Sequence, residues 1–377
     1  VDAVEIRDDE VRTASLTGRL VTVLPPREGF SPQAVGAIGL LVHRLGQPGD
    51  VVVGQFNDTP TFADPRFVPA ETRFWPPVGR VGRYMAGVVR SVRRLRPELI
   101  EVHNRANLAI RLSRACPDCR VVLFVHNDPQ SMREARSPAE RAALLRRVSV
   151  VCVSRYLAGR FMEGLDAAGP SPLVLPNAID LSEVPACLPA AARDKQILFV
   201  GRVVADKGAD AFVQACAAAL PLLPGWGATM IGADRFGVAG SSTAFEAHVL
   251  PLARAAGIEL SGYQPHDAVL RAMARAAILV VPSRWAEPFG LTALEGMACG
   301  AALVCSLRGG LPEVVGGAAL PADPDAPGVL TDAILRLARD PALRARLSAE
   351  GLQRAQGFDA PAARARLAEL RARLLAT

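Results

Sequence analysis

Short, β-branched apolar runs recur along the chain, and stretches with apolar residues at helical spacing lie between and after them. In the first half the runs are Leu20–Leu24, Asp50–Val53, Leu99–Val102, Val121–Val125 and Val148–Val153. Runs of this length and composition predict strands buried in a sheet. The helical stretches are Ser31–Leu45, with Ser31 as N-cap and Pro32 at the first position, then Gly79–Leu95 and Arg155–Leu165. Asn57–Pro77, rich in Pro and Asp, reads as a long loop. The rhythm restarts with Ile197–Val200, Ala228–Ile231, Ile258–Leu260, Ile278–Val281 and Ala302–Cys305, separated by helices near Ala209–Ala219, Ser242–Ala256 and His266–Arg275. Two alternating β/α series predict two doubly wound α/β domains, each with a parallel sheet. The expected division is residues 1–183, a linker over 184–195 marked by Pro185, Pro189 and alanines, and residues 196–359. A closing helix near Ala360–Leu375, within residues 360–377, is expected to return to the first domain. Ligands of such sheets bind beyond the carboxyl ends of the strands, so the cleft between the domains is the expected site.

Composition narrows the classes. The 377 residues suit two domains, and half of them are hydrophobic, which supplies two cores. No apolar run approaches the ~18 residues of a membrane-spanning helix. With Lys+Arg at 43 and Asp+Glu at 37 the net charge is +6, which favours an anionic ligand or surface without proving either. Arginines gather in two predicted helices: Arg80, Arg83, Arg90, Arg93, Arg94 and Arg96, and then Arg364, Arg366, Arg371 and Arg373. They read either as solvated helix faces or as attraction to an anionic bilayer. Nucleic acid is disfavoured, because few aromatics interleave with these arginines to stack on bases. Seven scattered cysteines do not form a disulfide framework, and Cys116-Pro-Asp-Cys119 reads as a chance pair of reduced thiols. No basic region followed by an apolar stretch marks a secretory signal, so the expected location is cytoplasmic, peripheral at the inner membrane face if the arginines bind lipid.

Chemistry concentrates in the second half. Pro282-Ser-Arg-Trp-Ala-Glu287-Pro-Phe-Gly290-Leu-Thr-Ala-Leu-Glu295 follows a strand and enters a helix. The free N–H groups of that helix can hold phosphate or sugar oxygens, and two glutamates beside the turn can accept from sugar and ribose hydroxyls. An alternative stays open: Thr292-Ala-Leu-Glu295 also fits a capping box, and Glu287 fits a surface loop. Gly201-Arg202…Lys207-Gly208 ends the first strand of the second domain and offers two cations to a departing diphosphate, although a solvated Lys-Gly turn fits the same residues. No cluster has metal-ligand spacing, and Asp323-Pro-Asp325 reads as loop. The absence of GxGxxG after any strand and of GxxxxGK[ST] counts against dinucleotide oxidoreductases and P-loop NTPases.

Together with Leu175-Pro-Asn177-Ala-Ile-Asp180 and Gly309-Gly310-Leu-Pro-Glu313, these segments resemble the retaining glycosyltransferases of family 4, whose GT-B fold sets two Rossmann-like domains across a central cleft. Glu287 and Glu295 stand in that family's E-x7-E relation. The resemblance implies transfer of a sugar from a nucleoside-diphosphate sugar, the donor substrate, to a glycan or lipid-linked glycan, with no metal and no cofactor. It implies donor contacts from Gly29, Arg202, Lys207, Gly262, Tyr263, Glu287, Phe289, Gly290, Leu291 and Glu295, with Arg202, Lys207, Glu287 and His126 at the reacting centre. Gly29 is the weakest match, since Arg27-Glu28-Gly29-Phe30 replaces the family's Gly-Gly pair. His126 ends a strand and is expected to face the cleft, while His103, Asn104 and Arg105 end another and are expected on the acceptor side. A nucleotide-sugar epimerase, a phosphorylase with a lysine-bound pyridoxal cofactor and a non-catalytic nucleotide-sugar binder are the rivals. The chain is too short for the phosphorylase.

Overall fold

The computed structural model of the protein describes residues 20–33, 35–56, 59–70, 79–166, 168–234 and 243–376. The first sheet contains β1 (Leu20–Val23), β2 (Val51–Gly54), β3 (Arg66–Pro69), β4 (Leu99–His103), β5 (Arg120–Val125), β6 (Ser149–Cys152) and β7 (Leu173–Val174). Its order is β3-β2-β1-β4-β5-β6-β7, and every paired neighbour is parallel. The second contains β8 (Asp194–Val200), β9 (Gly227–Ile231), β10 (Glu259–Gly262), β11 (Ala276–Val281), β12 (Ala302–Cys305) and β13 (Ala319–Pro321), in the order β10-β9-β8-β11-β12-β13, also all parallel. The central strands are buried along their length, which is why they read as unbroken apolar runs. In both sheets the strand order reverses after the third strand, between β1 and β4 and between β8 and β11. That reversal opens a crevice at the carboxyl ends, and it fixes where a ligand can enter.

The chain crosses between the sheets twice, side by side. Ile179 donates to Phe358 O at 3.0 Å, and Ala360 donates to Ile179 O at 2.8 Å. Beyond this bridge the helix Ala360–Ala376 lies on the first sheet, where Ala363, Leu367 and Leu370 pack with Leu20, Leu41, Leu45 and Leu99. Arg371 is one of the closing arginines read as a solvated or bilayer-facing set, and it does neither. It is 3% exposed, donates twice to Glu101 (2.8 and 2.9 Å) and once to Asp50 (3.0 Å).

Several local expectations are corrected. The helix expected from Ser31 begins at Ala37, with Gly36 as N-cap. The Glu28 carboxylate accepts from the Gly39 N–H at 2.8 Å and fills the helix end that Ser31 was to cap. The loop expected over Asn57–Pro77 contains β3, which follows Pro65 and ends at Pro69; Asn57, Asp58 and residues 71–77 lie outside the described residues. Ser242, the expected start of another helix, also lies outside them, and that helix runs Ala244–Ala255 from a Thr243 cap. The expected linker ends in structure: β8 begins at Asp194, and buried Arg193 donates to the carbonyls of Met273, Ala276 and Cys299.

Candidate active site

The crevice of the second sheet is built by two loops, one after β8 and one after β11. The first turns at Ala205–Lys207 and reverses at Gly208, whose φ of +69° sits in the left-handed region. A Cβ at Gly208 would collide with the Pro282 carbonyl, so glycine lets the two loops touch. From below, Gly309 lies against the backbone of Glu287, and Gly310 N donates to Glu287 O at 2.6 Å. Arg284 and Arg308 brace the same loops by pairing with Asp323 and Asp325 at 2.7 Å. Those pairings occupy the Asp-Pro-Asp segment as structure.

This bracing delivers Lys207 and Glu287 to one point. Lys207 Nζ lies 2.5 Å from Glu287 Oε1, and Ser283 Oγ donates to the same oxygen at 2.6 Å. Both donors are spent on Oε1. Glu287 Oε2 accepts from nothing among the described residues, in a side chain 9% exposed. Beside it the helix Leu291–Ala298 starts from Gly290, at φ +111°, with no side chain capping it. The N–H groups of Phe289, Gly290 and Leu291 find no acceptor among the described residues. A free carboxylate oxygen, an ammonium group and a helix N-terminus thus adjoin, the set needed to hold hydroxyls on one side and an anion on the other.

Glu295 makes no capping box. Its Oε1 lies 2.8 Å from Nε2 of His266, the first residue of the helix His266–Arg275. Local spacing does not point to this partner, since the two residues are 29 apart and the box is the nearer explanation. The hydrogen bond to Glu295 raises the His266 pKa above its ordinary value of 6.5. A raised histidine contributes stability fully below its unfolded pKa and loses it as pH rises through the folded value. His266→Asn is therefore expected to lower the melting temperature at pH 6 and to leave it unchanged at pH 9; an equal loss at both would mean the pair is not ionic.

Arg202 lies in the β8 loop, exposed, with no side-chain partner among the described residues. It shares the loop of Lys207 and is not joined to the Lys207–Glu287 contact. Gly262 ends β10 at φ +62°, and Tyr263 beyond it is 54% exposed.

On the first sheet the histidines differ from expectation. His126, just past β5, is 8% exposed, and its Nε2 points inward to Nδ1 of His103 at 2.9 Å. His103 and Asn104, expected on the acceptor side, are buried at 5% and 8%. Asn104 Oδ1 accepts from the His126 backbone N–H at 3.2 Å, so both residues hold His126 in place. The short polar ends of a buried strand satisfy one another here. Arg105 alone of the three is exposed. Gly29 lies in the loop after β1 against Gly39, and the Glu28 carboxyl beside it is raised in pKa by burial. No contact joins Gly29 to the Lys207–Glu287 corner among the described residues. Asn177, from the Leu-Pro-Asn segment, lines a cavity of about 20 Å³ with His103 and His126. Burial pushes the Cys119 thiol up to about 11, away from the thiolate form.

The two carboxyl edges face each other. Ser154 Oγ donates to Pro288 O at 2.6 Å, and the Glu313 carboxylate accepts from the N–H groups of Arg155 and Tyr156 at 2.8 and 2.6 Å. A carboxylate from the second domain therefore caps the helix Arg155–Met162 of the first. Charge-assisted bonds of this kind contribute about 1.5–3 kcal/mol, or 10- to 100-fold in an opening equilibrium. Glu313→Ala is expected to speed hydrogen exchange of the Arg155 and Tyr156 amides by about that factor. Unchanged protection would show the cap to be idle.

No group of three or more His, Cys, Asp or Glu among the described residues is arranged to hold a metal ion, and no described helix is long and apolar enough to cross a membrane. Two family models tile most of the chain: Glycosyltransferase Family 4 over residues 40–183 and Glycosyl transferases group 1 over residues 184–354. The O-antigen chain mannosyltransferase B of Escherichia coli is 41% identical over 101 residues, 27% of this chain and 26% of its own. The D-inositol 3-phosphate glycosyltransferase of Actinosynnema mirum is 30% identical over 248 residues, 60% of each chain. The matches thus span only a quarter to three-fifths of those relatives. Among solved structures, sucrose-phosphate synthase from Thermosynechococcus elongatus superposes with a TM-score of 0.78 at 20% identity, over 95% of this chain and 99% of that one. Anabaena HepE in complex with UDP and glucose gives 0.71 at 18% identity, over 93% and 99%.

Proposed function

The chain belongs to the glycosyltransferases of group 1 and family 4, and from that membership we propose that it moves a sugar from a nucleoside-diphosphate donor to an acceptor with retention of anomeric configuration. Its two parallel-sheet domains, meeting at their carboxyl edges, are the GT-B arrangement. The observation that carries the proposal is the Lys207–Glu287 contact at the second sheet's reversal, with Glu287 Oε2 and the Phe289–Leu291 N–H groups still open.

In this reading Lys207 leaves Glu287 for the donor diphosphate, and Arg202, unpartnered in the same loop, joins it there. Two cations offset the charge that develops as the diphosphate departs, which removes the need for a metal ion or cofactor. Glu287 Oε2 takes the sugar hydroxyls. Glu295, released from His266, takes the ribose, and the base lies along Gly262 and Tyr263. The sugar meets its acceptor from the face the diphosphate leaves, with a diphosphate oxygen taking the acceptor proton. Glu287 forms no bond to the sugar in this reading, because the acceptor attacks from the face the diphosphate leaves; Oε1 keeps its bond from Ser283 and Oε2 takes the hydroxyls. The acceptor approaches over the first domain. Its class is a glycan or lipid-linked glycan, and the exposed Arg80, Arg93 and Arg94 of the helix Arg80–Leu95, with Arg96 just beyond it, suit an anionic bilayer that presents such a lipid.

The test is incubation with a panel of nucleoside-diphosphate sugars in the presence of a chelator, followed by NMR of the products. Release of free nucleoside diphosphate with a sugar of unchanged anomeric configuration supports the reading. An inverted product, or an altered donor with no nucleotide released, as an epimerase gives, overturns it.

A further inference from the structure

We infer that His103, backed by Arg371 of the closing helix, is a positioning residue that holds the His126 ring neutral and in a single tautomer, leaving Nδ1 of His126 as the nitrogen offered to substrate. The inference rests on the reading that His126 borders the reacting sugar. Its observations are those of the buried side chains alone.

The facing nitrogens, His103 Nδ1 and His126 Nε2, lie 2.9 Å apart, so one hydrogen is shared between them. The rings are nearly coplanar at 19°, and His103 stacks on Phe124 at 4.8 Å and 8°. That sandwich fixes the plane of His103 and thereby the direction of its hydrogen bond. Asn104 fixes the other end by accepting the His126 backbone N–H. With Nε2 engaged, Nδ1 is the His126 nitrogen without a partner among the described residues.

Burial opposes protonation of either ring. Beneath His103 lies the Arg371 guanidinium, a buried cation. The two carboxylates that line the same cavity are engaged by other donors: Glu101 takes two bonds from Arg371 and one from Thr22, and Asp50 takes one from Arg371 and one from the Gln47 N–H. No carboxylate is left to pair with an imidazolium. Asn177, the remaining polar side chain lining this cavity, is uncharged. In keeping with this, burial and the Arg371 charge push the His103 pKa down to about 3, and burial with His103 beside it takes His126 well below 6.5. The return of the closing helix to the first domain thus does more than bury leucines. It places the Arg371 cation, paired to Glu101 and Asp50, in the wall of the cavity that His103 and His126 share, where it adds to the burial that disfavours a charged His103.

The test uses the full chain with ¹⁵N-labelled histidine; five histidines give a small spectrum. In the wild type, long-range ¹H–¹⁵N correlations are expected to show His126 as one neutral tautomer that does not titrate above pH 5. His103→Phe keeps the stack on Phe124 and removes the hydrogen bond. It should give averaged ¹⁵N shifts for His126, a titration that rises toward 6.5, and a new acid limb in the pH profile of donor turnover. The expected loss in kcat is about 10-fold with KM for the donor little changed, less than the ~100-fold of an ångström's misplacement. His103→Gln, which can still donate, should restore most of kcat. A wild-type His126 that titrates near 6.5 overturns the inference without any variant, and so does an unchanged His126 spectrum in His103→Phe. Absence of donor turnover in the wild type would instead count against the transferase reading and leave the histidine result standing.

Discussion

Replacing Lys207 with alanine is expected to slow sugar transfer by about 10²–10³-fold, the loss typical of one donor removed from a developing oxyanion. Lys207 leaves the turn after β8 next to a Gly208 that no other residue can replace without striking Pro282, so its backbone is held against the β11 loop and its ammonium group stays within reach of it. Its side chain is 26% exposed, open enough for ligand to reach and closed enough for its charge to act at low dielectric. Arg202 cannot stand in for it, because a planar fork and a point charge meet a diphosphate differently. Lys207→Arg should therefore recover only part of the loss. The check is steady-state turnover of donor, with circular dichroism confirming that the fold persists. A loss under threefold would remove Lys207 from the reacting centre.

Glu287→Gln is expected to separate the sugar from its nucleotide. The amide keeps the shape of the side chain and one acceptor oxygen, but it discards the charge that Lys207 and Ser283 address and one of the two oxygens. A site built to hydrogen-bond hydroxyls loses heavily when its polar groups are mismatched, so kcat/KM should fall about 10²-fold or more. Nucleoside diphosphate without sugar should bind within a few-fold of wild type, since Lys207 and the helix N–H groups remain. Calorimetric titration beside steady-state kinetics checks both halves. Equal loss of nucleotide and sugar recognition would mean that Glu287 serves only to hold Lys207.

The strands were legible because burial on both faces leaves no polar alternation to confuse the pattern; β12 runs over Ala302–Cys305 as read. The edge strand β3 was not, since prolines at 65 and 69 and an exposed Arg66 give it the composition of a loop. The late start of the first helix was hidden for a different reason. Ser31-Pro32 is a sound local start signal, and a carboxylate three residues upstream displaced it. Spacing brought Glu287 and Glu295 to the same turn, and the structure adds what spacing cannot hold: Ser283 and Lys207 converge on one oxygen, and His266 covers the other glutamate. Contacts across 80 residues, as between Lys207 and Glu287, leave no periodic trace. The same limit hid the contact between His103 and His126, for a strand end says nothing of which way a ring turns.

A crystal structure with an intact nucleoside-diphosphate sugar tests the central claim most directly. The diphosphate is expected within hydrogen-bond distance of Lys207 Nζ and of the N–H groups at Phe289–Leu291, with a sugar hydroxyl on Glu287 Oε2. Density for the donor elsewhere, with Lys207 still paired to Glu287, would contradict it.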